Sequence, residues 1–334
     1  MPDIPRTALD RAVDAVPAAQ FHGADGRAVR PCTPAAVTHR HLRMLDVQPG
    51  ANVMDIGIGS GLSAALLAHL VGPEGHVTAV EIEPHLAQRA EALYAEHGHK
   101  VTVVVGDGLL GHPSRTPYDR VLVGTTPPAI PDAWLQQLKP GGILLCGVRI
   151  SPLPGAYAIA RVTVDGHHEP HTVEIHHGGY TPMITACPLD AITRTVHPQR
   201  PDRSLALLGE HDQSTATALL TSLTETPHIA STPTPGSDYF HFKNWLLATA
   251  PDGLLEATLD QGTGVGCTAP GGTSHAAIAS DDFLIADRSD SPALERLRAL
   301  IHHWQQAGAP RTHELQAHLQ REGDFWRPRV SANA

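Results

Sequence analysis

The stretch Val53-Met-Asp-Ile-Gly-Ile-Gly-Ser-Gly61 reads as a buried strand running into a glycine-rich turn. A helix over 62–70 follows. Glycine has no Cβ and tolerates positive φ, so such a turn lets a ligand approach the backbone, and the helix start offers unpaired N–H groups. Twenty residues beyond Gly61 stands Glu81, near the end of a second apolar strand expected over 76–82. An acid there accepts hydrogen bonds from ribose hydroxyls. The glycines are spaced GxGxG (Gly57, Gly59, Gly61), with Leu62 where a GxGxxG motif has its last glycine. That spacing favours an adenosyl ligand without a pyrophosphate over a nicotinamide dinucleotide.

Strand and helix alternate outward from this turn. Strands are expected over 51–57, 76–82, 101–106, 119–125 and 142–148, with helices over 61–71, 84–97 and 131–138. Apolar runs such as Arg120-Val-Leu-Val-Gly124 and Gly142-Ile-Leu-Leu-Cys146 suit a parallel sheet covered on both faces. Ligands of such sheets sit beyond the carboxyl ends of the strands, and Gly57, Glu81, Asp107 and Thr125 all fall there. Upstream, 7–20 has the spacing of a short helix closed by Pro17, and Pro34 suits the first position of a second. Downstream, 156–164 and 171–177 read as antiparallel strands finishing the sheet. Residues 187–240 hold one strand (191–196) and one helix (214–223). A second α+β region follows: 240–248, a strand-like 277–286, a helix over 291–307, and a last helix capped by Thr312 and running through Leu319. The fold class is therefore α/β, doubly wound with a mostly parallel sheet, plus a C-terminal α+β region. The expected division is 1–50, 51–186 and 187–334.

The chain of 334 residues carries 34 acidic and 24 basic side chains, a net charge of −10. Without a basic run it is a poor partner for nucleic acid or an anionic membrane, and no apolar stretch suits a transmembrane helix. The N-terminus lacks the pattern of a signal peptide. Cys32, Cys146, Cys187 and Cys267 are scattered, which suits reduced thiols in a cytoplasm. Among the 23 histidines, His167, His168, His171, His176 and His177 cluster without metal-ligand spacing. The alternation over 171–177 reads as a strand with one wet face, and no metal is expected.

Four further segments join the glycine turn: Gly106-Asp-Gly108, Tyr118-Asp-Arg-Val-Leu-Val-Gly-Thr-Thr126, Trp134-Leu-Gln-Gln-Leu-Lys-Pro-Gly-Gly142 and Val71-Gly-Pro-Glu-Gly75. Together they resemble protein-L-isoaspartate O-methyltransferases, over roughly residues 7–150. The resemblance implies a Rossmann-like fold that binds S-adenosylmethionine (SAM) and releases S-adenosylhomocysteine. It implies Asp55, Gly57, Gly59, Ser60 and Gly61 beside the methionine and ribose, Glu81 with Ile82 at the ribose, and Gly106, Asp107, Gly108 and Leu109 at the adenine. Thr125 and Thr126 would face the methyl group. In the family a serine two residues before a proline helps hold the substrate carboxylate. Here Cys32 takes the serine's place before Pro34, with Thr33 adjacent, so the substrate pocket is altered.

The region beyond residue 186 is a second departure from the repair enzymes. Gly178-Gly-Tyr-Thr-Pro-Met183, Phe283-Leu-Ile-Ala-Asp287 and Ser291-Pro-Ala-Leu-Glu-Arg-Leu297 resemble extended relatives that accompany graspetides, lanthipeptides and lasso peptides. These esterify an aspartate in a modified precursor peptide, and the ester closes to an aspartimide. The implied substrate is thus a peptide carrying Asp or isoAsp. Thr33, Cys32, Thr125 and Thr126 are the candidates to hold its carboxylate, with Arg30 a possible source of charge. Methyl transfer to a carboxylate already ionised at neutral pH requires no strong base. Two alternatives stay open: an isoaspartate repair enzyme with an appended domain, and a SAM-binding protein without turnover.

Overall fold

The computed structural model describes residues 6–30, 32–183, 192–225 and 227–332. In chain order it contains α1 (Ala8–Ala15), α2 (Ala35–Leu45), β1 (Asn52–Ile56), α3 (Leu62–Val71), β2 (His76–Glu81), α4 (Pro84–His97), β3 (Thr102–Val105), β4 (Tyr118–Val123), β5 (Ile130–Pro131), α5 (Asp132–Gln136), β6 (Leu138–Arg149), β7 (Tyr157–Val164) and β8 (Pro170–His177). There follow β9 (Ile192–His197), β10 (Arg200–Leu208), α6 (Gln213–Glu225), β11 (His228–Ser231), α7 (Ser237–Thr249), β12 (Leu254–Leu259), β13 (Gly262–Thr268), β14 (Ala276–Ala279), β15 (Phe283–Ala286), α8 (Pro292–Gln306), β16 (Gln316–Glu322) and β17 (Phe325–Ser331).

The first sheet runs β3-β2-β1-β4-β6-β7-β8. Its first five strands are parallel, and β7 and β8 close it as antiparallel neighbours. Side chains alternate across a strand, and both faces of the central strands β1, β2, β4 and β6 are dry. Val53, Val77, Ala79 and Leu122 meet α1, α2 and α3 on one side. Met54, Ile56, Val80 and Val121 meet Trp134 and Leu135 of α5 on the other. This two-sided burial is why β1, β2 and β4 read as continuous apolar runs. α3 is apolar nearly all round because it lies between the sheet and α1.

The second sheet, β11-β15-β14-β13-β12-β10-β9, is antiparallel throughout. α7 and α8 pack on one face through Phe242, Leu294 and Trp304, and α6 packs on the other through Leu219 and Leu223. The third sheet, β16-β17-β5, is short.

Several sequence expectations are corrected here. The expected last helix from Thr312 through Leu319 is a 3-10 turn over Thr312–Glu314 and then strand β16, paired with β17. Its eight residues are fewer than a helix needs to stand alone. The pairing seats Leu319 and Trp326 against the far side of the first sheet. The helix over 131–138 stops at Gln136, because Leu138 already pairs with Tyr118. Pro34 caps α2 in an extended conformation rather than entering it. The strand-like 277–286 is two strands, β14 and β15, folded on each other. The histidine-rich strand β8 exists, with its first residues exposed and its last residues half-buried. His176 stacks on His313, and His177 packs against Phe240 and His241. Ala191 of the expected 191–196 strand, Cys187 and the first five residues lie outside the described residues.

Candidate active site

A cavity of about 410 Å³ opens at the carboxyl ends of β1, β2 and β4. Its floor is the glycine turn. Gly57 has φ +74° and Gly61 φ +96°, conformations in which glycine is the low-strain residue. A Cβ at Gly57 would also lie 3.0 Å from Thr125 Cγ2. The turn is braced from behind by α4. Arg89 donates to the carbonyls of Ser60, Phe21 and His22, and Tyr94 Oη donates to the Gly61 carbonyl at 2.9 Å.

Glu81, at the end of β2, is buried and spans two segments. One carboxylate oxygen accepts the Gly59 N–H and the other the Glu83 N–H, both at 3.1 Å. Asp107 accepts the Leu109 N–H at 2.9 Å, which shapes the turn after β3. Asp55 is wholly buried beneath the turn. Its Oδ2 accepts from Ser63 Oγ at 2.6 Å, and its Oδ1 has no partner. Burial pushes this carboxyl up to about 7, the Ser63 bond offsets part of that, and the nearby Glu81 charge adds to it.

The lining brings together most of the residues singled out in the sequence. Gly57, Gly59 and Ser60 form its floor, with Glu81 and Ile82 at one wall. Asp107, Gly108 and Leu109 stand at one end, and Cys32, Thr33 and Thr125 line the cavity as well. Asp55, Gly61, Gly106 and Thr126 lie behind the lining. Thr126 Oγ1 donates to the Tyr180 carbonyl at 2.9 Å, which commits its proton. Arg30 is exposed and outside the lining. Thr125 Oγ1 is buried without a partner.

Among the described lining residues, Glu81, Glu83 and Asp107 are acidic, His41 and His85 are the titratable bases, and none is Lys or Arg. Carboxylates gathered without a fixed cation complement a positively charged ligand. The donor set therefore fits an adenosyl sulfonium: acceptors for hydroxyls, a turn open to close approach, and no competing cation.

Sequence reasoning missed one wall. The segment 178–183 bridges to Thr126, with the Thr126 N–H donating to Thr181 O and the Met183 N–H to Thr126 O. It brings Tyr180, Thr181, Pro182 and Met183 to the cavity, opposite Thr38 and His41 of α2. The segment was noticed only as a resemblance. His41 stood among apolar positions of its helix, where a histidine passes for core. Its partner Tyr180 lies 139 residues away, a separation no local pattern records.

The family model of protein-L-isoaspartate(D-aspartate) O-methyltransferase matches residues 30–163. A protein-L-isoaspartate O-methyltransferase of Ignicoccus hospitalis is 46% identical over 108 residues, 32% of this chain and 51% of that one. One of Hyperthermus butylicus is 38% identical over 137 residues, 38% of this chain and 56% of that one. The chain thus spans about half the length of these curated relatives. A solved protein-L-isoaspartate O-methyltransferase structure aligns over 97% of this chain and 94% of its own, at 18% identity and a TM-score of 0.47. The matched stretch holds the glycine turn, Glu81, Asp107 and Thr125, and over residues 30–163 the chain is similar to the protein-L-isoaspartate(D-aspartate) O-methyltransferase family.

Proposed function

We propose that this chain is a SAM-dependent O-methyltransferase that esterifies an aspartyl or isoaspartyl carboxylate of a peptide. The observation that carries the reading is the carboxylate-lined, Lys- and Arg-free cavity over the Gly57–Gly61 turn. SAM supplies an electrophilic methyl group on a sulfonium. Glu81 accepts from the ribose hydroxyls, Asp107 to Leu109 border the adenine, and the turn admits the ligand against the backbone. The substrate enters on the side of Thr33, Cys32 and Thr125, whose side chains and neighbouring N–H groups hold its carboxylate in line. One carboxylate oxygen bonds to the methyl carbon as the carbon–sulfur bond breaks and its electron pair leaves on sulfur. Both charges vanish in that step. A cavity that excludes water and holds the reactants aligned therefore supplies what the reaction needs, without a general base.

The finer reading is a constrained, macrocyclic precursor peptide as substrate, with residues 187–334 recognising it. Cys32 in the position of the family's serine supports it. The ester then closes to an aspartimide as the next backbone nitrogen attacks the ester carbonyl and methanol departs with its proton. The repair reading, in which an isoaspartyl residue of a damaged protein is esterified, has the names of the curated relatives in its favour. Mass spectrometry after incubation with SAM separates the two. A macrocyclic aspartyl peptide should gain a methyl ester and then lose methanol, while a linear isoaspartyl peptide stays unchanged. Methylation of the linear isoaspartyl peptide alone would establish repair and remove the macrocycle reading. Turnover of neither peptide would reject both.

A further inference from the structure

The wall formed by α2 and the 178–183 segment contains a hydrogen-bond chain that ends on the cavity. Arg40 sits beside His177 of β8, with Nη1 2.7 Å from His177 Nε2 and Nη2 3.2 Å from the His177 carbonyl. The same Nη2 lies 3.2 Å from His41 Nε2. His41 Nδ1 lies 2.5 Å from Tyr180 Oη. His41 is 1% exposed and Tyr180 8%, and both border the cavity.

The direction of each bond follows from chemistry. A guanidinium has donors only. His41 Nε2 must therefore accept, which places the imidazole proton on Nδ1. That proton is donated to Tyr180 Oη. The tyrosine oxygen is then an acceptor toward the protein, and its own O–H is left to turn toward the cavity. Burial and the charge on Arg40 hold His41 well down, to about 4, so the ring stays neutral at working pH. Burial pushes the Tyr180 phenol up, so it keeps its proton. The main chain of the segment is fixed by the Thr126 bond to the Tyr180 carbonyl.

We infer that Tyr180 donates a hydrogen bond to the non-reacting oxygen of the substrate carboxylate, and that Arg40 and His41 are positioning residues that set the direction of that hydroxyl. The inference rests on the proposed carboxylate methylation and adds a named contact to it. The physical reason is differential stabilisation. The carboxylate loses its charge as the methyl group arrives. A guanidinium bound directly to it would stabilise the charged ground state more than the transition state and so slow the reaction. A neutral phenol holds the carboxylate with a smaller penalty of that kind, because its hydrogen bond loses less than an ion pair does when the charge disappears. Arg40 stays three hydrogen bonds from the carboxylate, fixing the tautomer without pairing with the substrate.

The test uses the full chain and three variants. Tyr180→Phe removes the donor. His41→Gln preserves the polarity, since its oxygen accepts from Arg40 and its amide donates to Tyr180. His41→Glu reverses it, since a carboxylate accepts from both and draws the tyrosine O–H away from the cavity. On whichever peptide the wild type methylates, Tyr180→Phe and His41→Glu should raise KM about 10- to 100-fold, the range for one hydrogen bond to a charged group. Their kcat should hold within about threefold and SAM affinity by calorimetry should be unchanged, while His41→Gln stays within about threefold of wild type in KM. An unchanged KM in Tyr180→Phe, or equal behaviour of His41→Gln and His41→Glu, overturns the inference and leaves the proposed function standing. Long-range ¹H–¹⁵N NMR of the ligand-free protein should report the Nδ1–H tautomer at His41, and an Nε2–H tautomer overturns the relay whatever the activity. If the wild type methylates neither peptide, the functional reading falls and the substrate contact falls with it, which the NMR result distinguishes from failure of the relay.

Discussion

Replacing Asp55 by Asn should shift the stability of the ligand-free protein, relative to wild type, upward as pH rises from acid to alkaline. Asp55 is wholly buried beneath the glycine turn, with one oxygen on Ser63 and the other unpartnered. Its carboxyl titrates near 7 in the folded chain, against 3.8 for an ordinary aspartate. A group whose folded pKa is raised contributes stability that is full below its unfolded pKa and is lost as pH rises through the folded value. Between pH 5 and pH 8 the linkage relation with these two pKa values removes on the order of 3 kcal/mol from the wild type through this one side chain. Asparagine does not titrate. Its oxygen keeps the Ser63 bond, and its amide faces the place where Asp55 Oδ1 finds no partner, at a cost of about 1–3 kcal/mol that is independent of pH. That cost cancels when each protein's two pH values are subtracted. The stability of Asp55→Asn relative to wild type should therefore rise by on the order of 3 kcal/mol from pH 5 to pH 8. Urea unfolding followed by tryptophan fluorescence at both pH values measures it. Parallel pH profiles, agreeing within about 0.5 kcal/mol, would show that Asp55 ionises as an exposed carboxylate does, and the argument from burial would fail.

Glu81→Gln keeps one acceptor oxygen but turns an amide toward one of the two N–H donors that Glu81 now serves. SAM affinity by calorimetry should fall by about 1.5–3 kcal/mol, with the fold intact by circular dichroism. Gly61→Ala adds a Cβ 3.0 Å from Tyr94 Oη at a φ of +96°, so a loss of about 1–3 kcal/mol in chemical denaturation is expected. Trp326→Ala empties a buried position against the far side of the first sheet. It should cost about 3–5 kcal/mol, read as a drop in the urea midpoint.

The first sheet was legible because its central strands are dry on both faces. Val53, Met54 and Ile56 announce themselves as an apolar run, and α4 was read with both ends where the structure has them. The second sheet was legible only in part, for a physical reason. β13, Gly-Thr-Gly-Val-Gly-Cys-Thr, offers no apolar run. Gly264 and Gly266 are there because the β14 backbone comes so close that a Cβ at Gly264 would lie 2.5 Å from the Ala279 carbonyl. A strand chosen for close approach carries no hydrophobic signature. β16 was mistaken for a helix because the apolar face it covers, on the first sheet, lies outside any local window, although its partner β17 follows after only two residues. In the site, the glycine turn and the acids at strand ends were visible because their roles are backbone roles. Thr38, His41 and Tyr180 were not, because what brings them together is the packing of α2 against the segment after β8.

The hairpin of β16 and β17 bears on how the molecule comes into being. Pro131 and Ile130 of β5 pair with Phe325 and Trp326, and Leu319 and Trp326 share a core with Met54, Ile56 and Val121. During synthesis the first sheet leaves the ribosome long before those residues do. Until they arrive, the face bearing Ile130 lacks its cover, and a chain stalled short of residue 315 presents that face to solvent and to other chains. A hairpin made late thus seals a sheet made early, so quality control that reads exposed apolar surface would respond to whether the hairpin has docked.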